Sequence, residues 1–399
     1  MKTTISGKKQ KKQINVGLIG YKFMGKAHSN ALTKIGMFFD GSAAIGKKVI
    51  CGRDPEWVRE SAEQFGWSEY ETSWEKLVRR ADIDMIDITA PSNVHKEIAV
   101  AAANEGKHIF CEKPLALNLA DSREIYEAAV KNNIKHQIGF NYRFAPAVVF
   151  AKKLIDEGRI GKIFHVRASF LQDWIIDPDF PLVWRLDKKV CGSGSLGDLG
   201  AHFIDMARFL CGEFASVMGM SKTFVTTRPL SENMTGLSGR ASAGAPRAPV
   251  EVDDGTTFLA EFESGALGVF EATRFAQGHK NDLSIEINGE KGSLKFVFER
   301  MNELHYYSAD DEPGTQGFRL IQASEGIHPY MHAWWPTGHV IGFEHTFVHE
   351  LYEFTEAIAN DRTPAAICPT FEDGVKCSQI IEAVELSCRR KALVEVGSL

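Results

Sequence analysis

The chain has 399 residues, of which 44% are hydrophobic and 25% are charged, and its formal net charge is −6. This length allows two domains, and the composition is that of an ordinary globular protein. The negative charge argues against a nucleic-acid partner, and the lack of any run of about 18 apolar residues argues against a membrane span.

The first part of the chain alternates short apolar runs with helical stretches. Strands are predicted at residues 14–19, 48–51, 85–89, 108–111 and 136–140, with helices from about residue 24 and at 56–65, 95–105 and 119–132. Strands that alternate with helices at this spacing form βαβ units and a parallel sheet. We therefore predict a Rossmann-type, doubly wound NAD(P)-binding domain over residues 1–145.

The pattern changes after about residue 150. Strands are predicted at residues 164–171, 258–263, 266–273, 283–288 and 293–299, and helices at 148–157, 194–210, 344–360 and 371–389. Hairpin-like connections between neighbouring strands indicate an antiparallel sheet with a few helices. Residues 228–250 are rich in glycine, serine, alanine and proline, which predicts a long surface loop.

Seven cysteines are scattered along the chain without a C-x-x-C pair, so we expect neither a disulfide framework nor a zinc site. This usage is typical of a reducing compartment, and we expect a cytoplasmic protein. Among five histidines near the C-terminus, His345 and His349 are four positions apart within a predicted helix, and no H-E-x-x-H motif accompanies them. We predict no metal site.

A glycine turn joins the first strand to its helix. Gly20 and Gly25 hold the first and sixth positions of a dinucleotide fingerprint, but Lys22 replaces the middle glycine. The Lys22 side chain must point away, or the pyrophosphate must lie further out. The motif is also compatible with an ordinary turn. We assign four residues of this segment to the cofactor site: Gly20, Lys22, Phe23 and Met24.

The end of the second strand bears on the choice of cofactor. Gly52 stands where NAD enzymes usually carry an acid that binds the ribose 2′-hydroxyl. Arg53 follows, and an arginine there can accept the 2′-phosphate of NADP. Asp54 either reaches the ribose or caps the next helix. The sequence therefore predicts NAD or NADP and leaves the choice open.

Two further motifs complete the pattern. Glu112, Lys113 and Pro114 end the fourth strand, and a G-D-x-x-x-H segment with Asp198 and His202 opens a later helix. With the glycine turn and residues 89–95, these motifs resemble the glucose–fructose oxidoreductase/inositol dehydrogenase (Gfo/Idh/MocA) family over most of the chain. Lys22 is the principal departure. Residues 171–174, 184–185 and 252–254 resemble its anhydrosugar dehydrogenases.

The resemblance implies that residues 146–399 form an α+β domain for substrate binding and oligomerisation. That domain is built on a large, mostly antiparallel open sheet, which packs against another subunit to give a homo-oligomeric dimer or tetramer. The resemblance also implies that Lys113, Asp198 and His202 surround the reacting carbon of a sugar-like substrate, and it suggests a cis peptide bond before Pro114.

These residue types suit the oxidation of an alcohol, in which a hydride passes to nicotinamide and a proton passes to a base. Asp198 and His202 are four positions apart on a helix and share one face. We expect the carboxylate to favour the imidazolium form of His202. We predict that His202 is the general acid/base, with Lys113 holding the hydroxyl, and the reverse assignment stays open.

The remaining site residues are assigned from their position, because ligands of doubly wound sheets bind beyond the carboxyl ends of the strands. To the cofactor we assign Arg53, Ala90, Asn93, His95, Glu112, Lys113 and Asn141. To the substrate we assign Lys113, Arg143, Trp174, Trp184, Arg185, Asp198 and His202. Three alternatives stay open: His95 could cap its helix, Arg143 could form an interdomain ion pair, and the tryptophans could be core residues.

The predicted function is hydride transfer between a nicotinamide cofactor and a secondary hydroxyl or keto carbon. The substrate class is a sugar, anhydrosugar, glycoside or cyclitol. One alternative is a redox-neutral oxidoreductase that keeps NAD(H) tightly bound. A second alternative, of another class, is a non-catalytic sensor of a nucleotide or a sugar on the same fold.

Overall fold

The first part of the protein is a layered α/β unit. A computed structural model describes residues 11–230, 239–242 and 244–399. In chain order, the elements of this part are β1 (Lys12–Ile19), α1 (Phe23–Phe38), β2 (Ala43–Cys51), α2 (Pro55–Phe65), β3 (Glu69–Glu71), α3 (Trp74–Val78), β4 (Met85–Ile88), α4 (His95–Asn104), β5 (His108–Glu112), α5 (Leu119–Lys131) and β6 (His136–Gly139).

These strands form one parallel sheet in the order β3-β2-β1-β4-β5-β6, which confirms the predicted Rossmann-type architecture. Strand β4 is buried along its whole length, as expected for a central strand with helices over both faces. The strand order reverses beside β1, and doubly wound sheets bind their ligands at such a point. Strand β3 is absent from the sequence prediction.

The second part begins with α6 (Pro146–Asp156) and contains the larger sheet. Its further elements are β7 (Ile163–Leu171), α7 (Lys188–Cys191), α8 (Ala201–Cys211), β8 (Phe214–Lys222), β9 (Thr227–Pro229), β10 (Arg247–Pro249), β11 (Gly255–Phe262), β12 (Leu267–Thr273), β13 (Asp282–Gly289), β14 (Gly292–Val297), β15 (Glu303–Ser308), β16 (Arg319–Gln322), α9 (Phe343–Ala359), α10 (Phe371–Arg390) and β17 (Val394–Glu395).

Nine of these strands form a sheet in the order β16-β15-β14-β13-β7-β12-β11-β8-β17, and every pair except β7 with β12 is antiparallel. The predicted large, mostly antiparallel sheet is therefore confirmed. Burial alternates along the strands: in β11, Phe258, Ala260 and Phe262 are buried, whereas Leu259 between them is exposed. One face thus packs on helices α6, α8 and α10, and the other is open.

The segment predicted as a long surface loop, residues 228–250, is ordered at both ends. Strands β9 and β10 pair there as a short antiparallel ribbon. Arg228 in β9 is fully buried and donates hydrogen bonds to the backbone carbonyls of Ile175, Asp177 and Phe180. The loop prediction is therefore wrong for these strands, because a buried cation with main-chain acceptors fixes them. Residues 231–238 and 243 lie outside the described residues.

Helix α9 belongs to the second part of the chain but packs against α1 and the first sheet. Glu356 of α9 accepts a hydrogen bond from the Ala43 backbone N–H at 2.9 Å, and Lys12 donates to the Ile358 carbonyl at 3.2 Å. Both parts contribute to one continuous apolar core. The division at residue 145 stays a prediction, and extensive packing crosses that position.

Two sequence expectations concern the chain as a whole. All seven cysteines are unpaired. Within the described ranges, we find no helix with the length and apolar character needed to cross a membrane.

His349 is held inside the core as a neutral imidazole. Its Nδ1 lies 2.9 Å from the Phe144 carbonyl, and its Nε2 accepts a hydrogen bond from Trp334 Nε1 at 2.7 Å, so we assign the proton to Nδ1. Both ring nitrogens therefore have partners, which leaves neither free for a metal. Burial lowers the pKa of His349 to about 3, and burial also lowers the pKa of His136 to about 4.

We expect these two histidines to make the protein less stable in mild acid. The unfolded chain takes up their protons near pH 6.5, whereas the folded chain does not. Below that pH, the free energy of unfolding should fall by up to roughly 1.4 kcal/mol per pH unit for each histidine, until about pH 4. Urea denaturation at several pH values measures this slope. His349→Gln should make it shallower, whereas substitution of the exposed His339 should not. Equal slopes in all three proteins would contradict the prediction.

Candidate active site

The turn after β1 fits the phosphates of a dinucleotide. Gly20 has a φ of +113°, and a Cβ on Gly25 would lie 2.2 Å from the Gly20 carbonyl oxygen, so both positions require glycine. Lys22 has a φ of −78°, so its backbone does not require glycine, and its side chain is exposed. No side chain of the described residues caps α1. An open helix N-terminus beside a glycine turn suits a pyrophosphate.

The end of β2 lacks the usual ribose-binding acid for a visible reason. A Cβ on Gly52 would lie 2.1 Å from Cδ1 of Tyr21, so the tyrosine ring occupies the space of a side chain there. Asp54 accepts hydrogen bonds from the backbone N–H groups of Glu56 and Trp57, each at 3.0 Å. The helix-cap alternative for Asp54 is therefore confirmed, and Arg53 is left exposed beside the turn.

The ring of His95 ties together the segments that follow β4 and β5. Its Nδ1 lies 3.0 Å from the Pro114 carbonyl and its Nε2 lies 2.9 Å from the Ala90 carbonyl. The ring makes no capping contact with its own helix, so the alternative that His95 is a helix cap is wrong. The Lys113–Pro114 peptide bond is cis, as the family resemblance implies.

The two asparagines assigned to the cofactor differ in their surroundings. Asn93 is exposed on the short turn Ser92–Val94. Asn141 is buried and donates a hydrogen bond from Nδ2 to Thr346 Oγ1 of α9 at 2.8 Å. Its amide oxygen is thus held in place by the second part of the chain. The cofactor role of both residues stays a prediction.

Lys113 and Asp198 meet although 85 residues separate them. Lys113 Nζ donates to Asp198 Oδ1 and to the Asp198 carbonyl oxygen, each at 3.0 Å. Their side chains are 16% and 27% exposed, so the pair is partly accessible to solvent. Asp198 lies in a π-helical turn, Leu196–Gly200, that precedes α8. Such local widening of a helix is frequent at functional sites.

Arg274, the residue directly after β12, binds the other oxygen of this carboxylate. Its Nη2 donates to Asp198 Oδ2 at 2.9 Å, and its side chain is fully buried. Burial raises the pKa of Asp198, but the charges of Lys113, Arg274 and Arg185 together hold it well below the usual value. Asp198 is therefore an anion with a cation on each oxygen.

His202 lies under an aromatic ring at the start of α8. It is 8% exposed, and the Tyr142 ring stacks on it with centroids 4.4 Å apart. Its Nδ1 is buried and has no hydrogen-bond partner in the described part of the chain. Burial, followed by the charge of Lys113, lowers the pKa of His202 well below its usual value despite Asp198.

Asp198 raises the pKa of His202, as expected, but burial and the charge of Lys113 outweigh this effect. The Asp198 carboxylate is itself paired with two cations, Lys113 and Arg274. His202 is therefore a neutral imidazole, which is the form that accepts a proton.

Arg143 does not belong to the substrate group. Its guanidinium donates to both oxygens of Asp205, at 2.7 and 2.6 Å, and to Asp373 at 3.2 Å. Its side chain is only 4% exposed, so it is buried against these two acids. The assignment to the substrate is wrong, and the alternative of an ion pair between the two parts of the chain is correct.

The other three residues assigned to the substrate lie on the Asp198 side of the site. The Arg274 guanidinium carbon is 5.6 Å from the centroid of the Trp174 ring, and Arg274 Nη1 donates to the Arg185 carbonyl at 3.4 Å. The Arg185 guanidinium lies 4.3 Å from the Trp184 ring, which is 41% exposed. An exposed aromatic face suits the apolar side of a sugar ring. Their contact with a substrate stays a prediction.

A cluster of buried ionisable groups lies beneath Glu112. His28 Nδ1 is 2.9 Å from Asp87 Oδ1, and His28 Nε2 is 3.1 Å from Glu112 Oε1. Glu112 Oε2 in turn accepts a hydrogen bond from the Lys113 backbone N–H at 3.1 Å. Burial opposes charge on His28, but Asp87 and Glu112 raise its pKa well above the usual value. His28 is therefore an imidazolium that bridges two carboxylates.

Glu350 completes this cluster and differs from the other acids. Both of its carboxyl oxygens are buried without a partner among the described residues, and burial raises its pKa well above the usual value. Glu350 is therefore a neutral acid. Ligand atoms of His28, Glu112 and Glu350 lie within 4.8 Å of one another, a grouping that the sequence analysis did not consider. The absence of a metal site stays a prediction.

Several residues of this site escape the sequence assignment. Arg274 has only one local signal, a charge directly after a strand of the second sheet. Tyr142 follows β6 at the same edge as Asn141, and that position predicts that it lines the site but does not reveal its stacking on His202. The partners of His28 come from β4, β5 and α9, and no spacing in the sequence connects them.

The fold and the site together define the class of protein. A Rossmann-type sheet with an open helix N-terminus and a lysine–aspartate–histidine group at the same edge is the arrangement of a nicotinamide-dependent oxidoreductase. Residues 14–140 match the oxidoreductase family with an NAD-binding Rossmann fold, and residues 148–295 match the GFO/IDH/MocA C-terminal domain. The protein belongs to the Gfo/Idh/MocA family, which confirms the resemblance.

Two proteins of known activity are similar over most of the chain. Levoglucosan dehydrogenase of Pseudarthrobacter phenanthrenivorans is 42% identical, and the match covers 97% of this chain and 99% of that protein. The scyllo-inositol 2-dehydrogenase (NAD+) of Bacillus subtilis is 28% identical, with 88% of each chain covered.

Solved structures agree with this placement. Levoglucosan dehydrogenase in complex with NADH has a TM-score of 0.91 at 41% identity, covering 96% of this chain and 99% of that one. An oxidoreductase domain protein from Kribbella flavida has a TM-score of 0.90 at 47% identity, and the match again covers 96% of this chain and 99% of that one. The protein is thus a nicotinamide-dependent oxidoreductase of the sugar and polyol class.

Proposed function

We propose that this protein oxidises a secondary hydroxyl of a neutral pyranose or anhydrosugar, with NAD+ as the hydride acceptor and levoglucosan as the first substrate to test. The observation that carries the proposal is the contact of Lys113, directly after β5, with Asp198, whose helical segment continues into His202. The 42% identity to levoglucosan dehydrogenase supports the choice of sugar.

The residues of the first sheet would hold the cofactor. The free N–H groups at the start of α1 and the exposed Lys22 would bind the pyrophosphate, and the segments after β4, β5 and β6 would line the nicotinamide end. When bound, the cofactor supplies the acceptor for the hydride. The similarity to a structure in complex with NADH supports NAD over NADP.

The protein would handle the proton and the charge on oxygen. His202 is neutral and accepts the hydroxyl proton, while Lys113 donates a hydrogen bond to the same oxygen. Asp198 accepts a hydrogen bond from a neighbouring hydroxyl and orients the ring. Lys113, Arg185 and Arg274 surround one carboxylate, so the site carries a net positive charge that stabilises a developing alkoxide.

The test is a substrate panel followed by nicotinamide absorbance. Purified protein is mixed with NAD+ or NADP+ and with levoglucosan, glucose, a methyl glycoside, myo-inositol or glucuronate. We expect turnover of levoglucosan with NAD+ and slower turnover of myo-inositol. Silence across the panel with both nucleotides would count against a freely exchanging dehydrogenase. Freshly purified protein would then be denatured and assayed for released nucleotide, since tightly held NAD(H) is the alternative.

We also propose that the open face of the second sheet joins subunits into a homo-oligomer. Met218, Leu259 and Val269 are paired across β8, β11 and β12, and Met218 and Leu259 are 48% and 56% exposed. An apolar row across an open sheet marks an interaction surface. Leu259→Glu should lower the mass measured by light scattering, whereas Glu261→Gln beside it should not. An unchanged mass of Leu259→Glu would exclude this interface.

The seven unpaired cysteines support a cytoplasmic location.

A further inference from the structure

Arg274 connects several parts of the site through one guanidinium group. Its Nη2 donates to Asp198 Oδ2 at 2.9 Å and to the Gly194 carbonyl at 3.2 Å, and its Nη1 donates to the Arg185 carbonyl at 3.4 Å. The Trp174 ring lies 5.6 Å from the guanidinium carbon. Arg274 therefore holds the Asp198 carboxylate. It also binds Arg185 and Gly194, which lie at the two ends of the segment that precedes Asp198.

The protein offers a natural comparison in Arg228. Both arginines are fully buried, and both lie beside the small apolar cluster around Ile175 and Phe180. The hydrogen bonds of Arg228 go to three backbone carbonyls. Main-chain acceptors are enough to keep a buried guanidinium in this region, so the contact of Arg274 with Asp198 requires a separate explanation.

The two cations on Asp198 have different chemistry. Lysine carries a mobile ammonium on a flexible chain, whereas arginine stays protonated and its planar fork is rigid. If Lys113 were the sole partner, its movement towards a substrate would leave a buried carboxylate unpaired, which is strongly unfavourable. With Arg274 on the second oxygen, Asp198 keeps a partner whichever way the Lys113 ammonium turns.

We propose that Arg274 is a positioning residue, which keeps Asp198 ionised and in place so that Lys113 is free to serve the substrate hydroxyl. Arg274 acts through Asp198 and makes no contact with the reacting atoms. This inference rests on the proposed dehydrogenase function, and it extends the site beyond the predicted lysine, aspartate and histidine.

The charges around Asp198 determine the expected pH effect. Groups from five elements face it: Lys113 after β5, Tyr142 in the turn after β6, Arg185 before α7, Cys191 at the end of α7 and His202 in α8. Lys113, Arg274 and Arg185, in that order, hold the pKa of Asp198 down against the effect of burial. Removal of Arg274 should therefore raise the pKa of Asp198.

The first test compares Arg274→Gln, Arg274→Lys and Arg228→Gln in the intact protein, with the sugar that gives the highest activity in the panel. Arg274→Gln should lower kcat by about 10²-fold and move the acid limb of the kcat profile towards neutral pH. Arg274→Lys should recover part of both changes, because it restores the charge but not the fork. Arg228→Gln should lower Tm without moving the acid limb. Equal acid limbs in Arg274→Gln and Arg228→Gln would overturn the proposal.

A second measurement is independent of turnover. The carboxyl group of Asp198 is titrated by NMR in protein labelled with 13C-aspartate, and the signal is assigned with Asp198→Asn. A higher pKa in Arg274→Gln than in the parent protein supports the proposal, and an unchanged pKa overturns it. An inactive parent protein across the whole panel would count against the freely exchanging dehydrogenase alone, because the titration would still decide whether Arg274 keeps Asp198 ionised.

Discussion

Replacement of Lys113 by methionine is expected to lower kcat by about 10²- to 10⁴-fold, the usual contribution of a positioned acid, base or hydrogen-bond donor. Methionine keeps a flexible side chain of similar length but removes the ammonium that donates to Asp198. Asp198 keeps its second partner, Arg274, so the variant should fold. Steady-state kinetics on the best sugar of the panel give kcat and KM, and nucleotide affinity is measured by fluorescence.

The matched control for this change is Lys96→Met in α4, a helix that packs on the same sheet. Lys96 is also paired with a carboxylate, Asp121, at 2.6 Å, but it lies on the surface. We expect its kcat to equal that of the parent protein. A Lys113→Met variant with undiminished kcat, or a Lys96→Met variant with an equal loss, would contradict the assignment of Lys113 to the reacting oxygen.

Replacement of His28 by leucine is expected to lower the free energy of unfolding by about 3–5 kcal/mol. His28 and Asp87 are fully buried, and Glu112 is 5% exposed. Loss of the imidazolium leaves two carboxylates without their shared cation, and burial makes their repulsion and desolvation costly. Urea denaturation measures the change. Because folding raises the pKa of His28, its contribution is complete below about pH 6.5 and declines as the pH rises through the folded-state pKa.

Glu350→Gln is the control within the same cluster. Glu350 is a neutral acid in the folded protein, and glutamine is neutral with nearly the same shape. We expect a change in the free energy of unfolding of less than about 1 kcal/mol. A loss as large as that of His28→Leu would show that Glu350 is charged, and the bridging role of His28 would then need revision.

The sequence predicts the central strands well, because their apolar runs are long enough to stand out. Strand β4 and its neighbours are of this kind. Strand β3 is missed because its three residues, Glu69, Tyr70 and Glu71, are polar and it lies at the sheet edge. Strands β9 and β10 are missed because their pairing depends on buried Arg228, whose acceptors lie about fifty positions earlier in the chain.

The same limit applies to the site. Lys113, Asp198 and His202 are predicted from motifs that each lie within one short segment. Arg143 is misassigned because its partners are 62 and 230 residues away, and local sequence cannot distinguish an ion pair from a substrate contact. The net pKa shift of His202 is not predicted because helical spacing places Asp198 nearby but reveals neither the burial of the ring nor the charge of Lys113, which lower the pKa.

The position of α9 has a consequence for how the protein is made. Tyr352 of this helix stacks on Phe39 at 4.3 Å between centroids, and Phe347 lies against His28 at 5.5 Å. During synthesis the nucleotide-binding part emerges from the ribosome well before α9 (Phe343–Ala359) is translated. The apolar surface that α9 covers stays exposed until α9 has been made. Such surfaces attract chaperones or aggregate. We therefore expect the two parts to complete their folding together, and a fragment that encodes the first part alone to leave this apolar surface exposed.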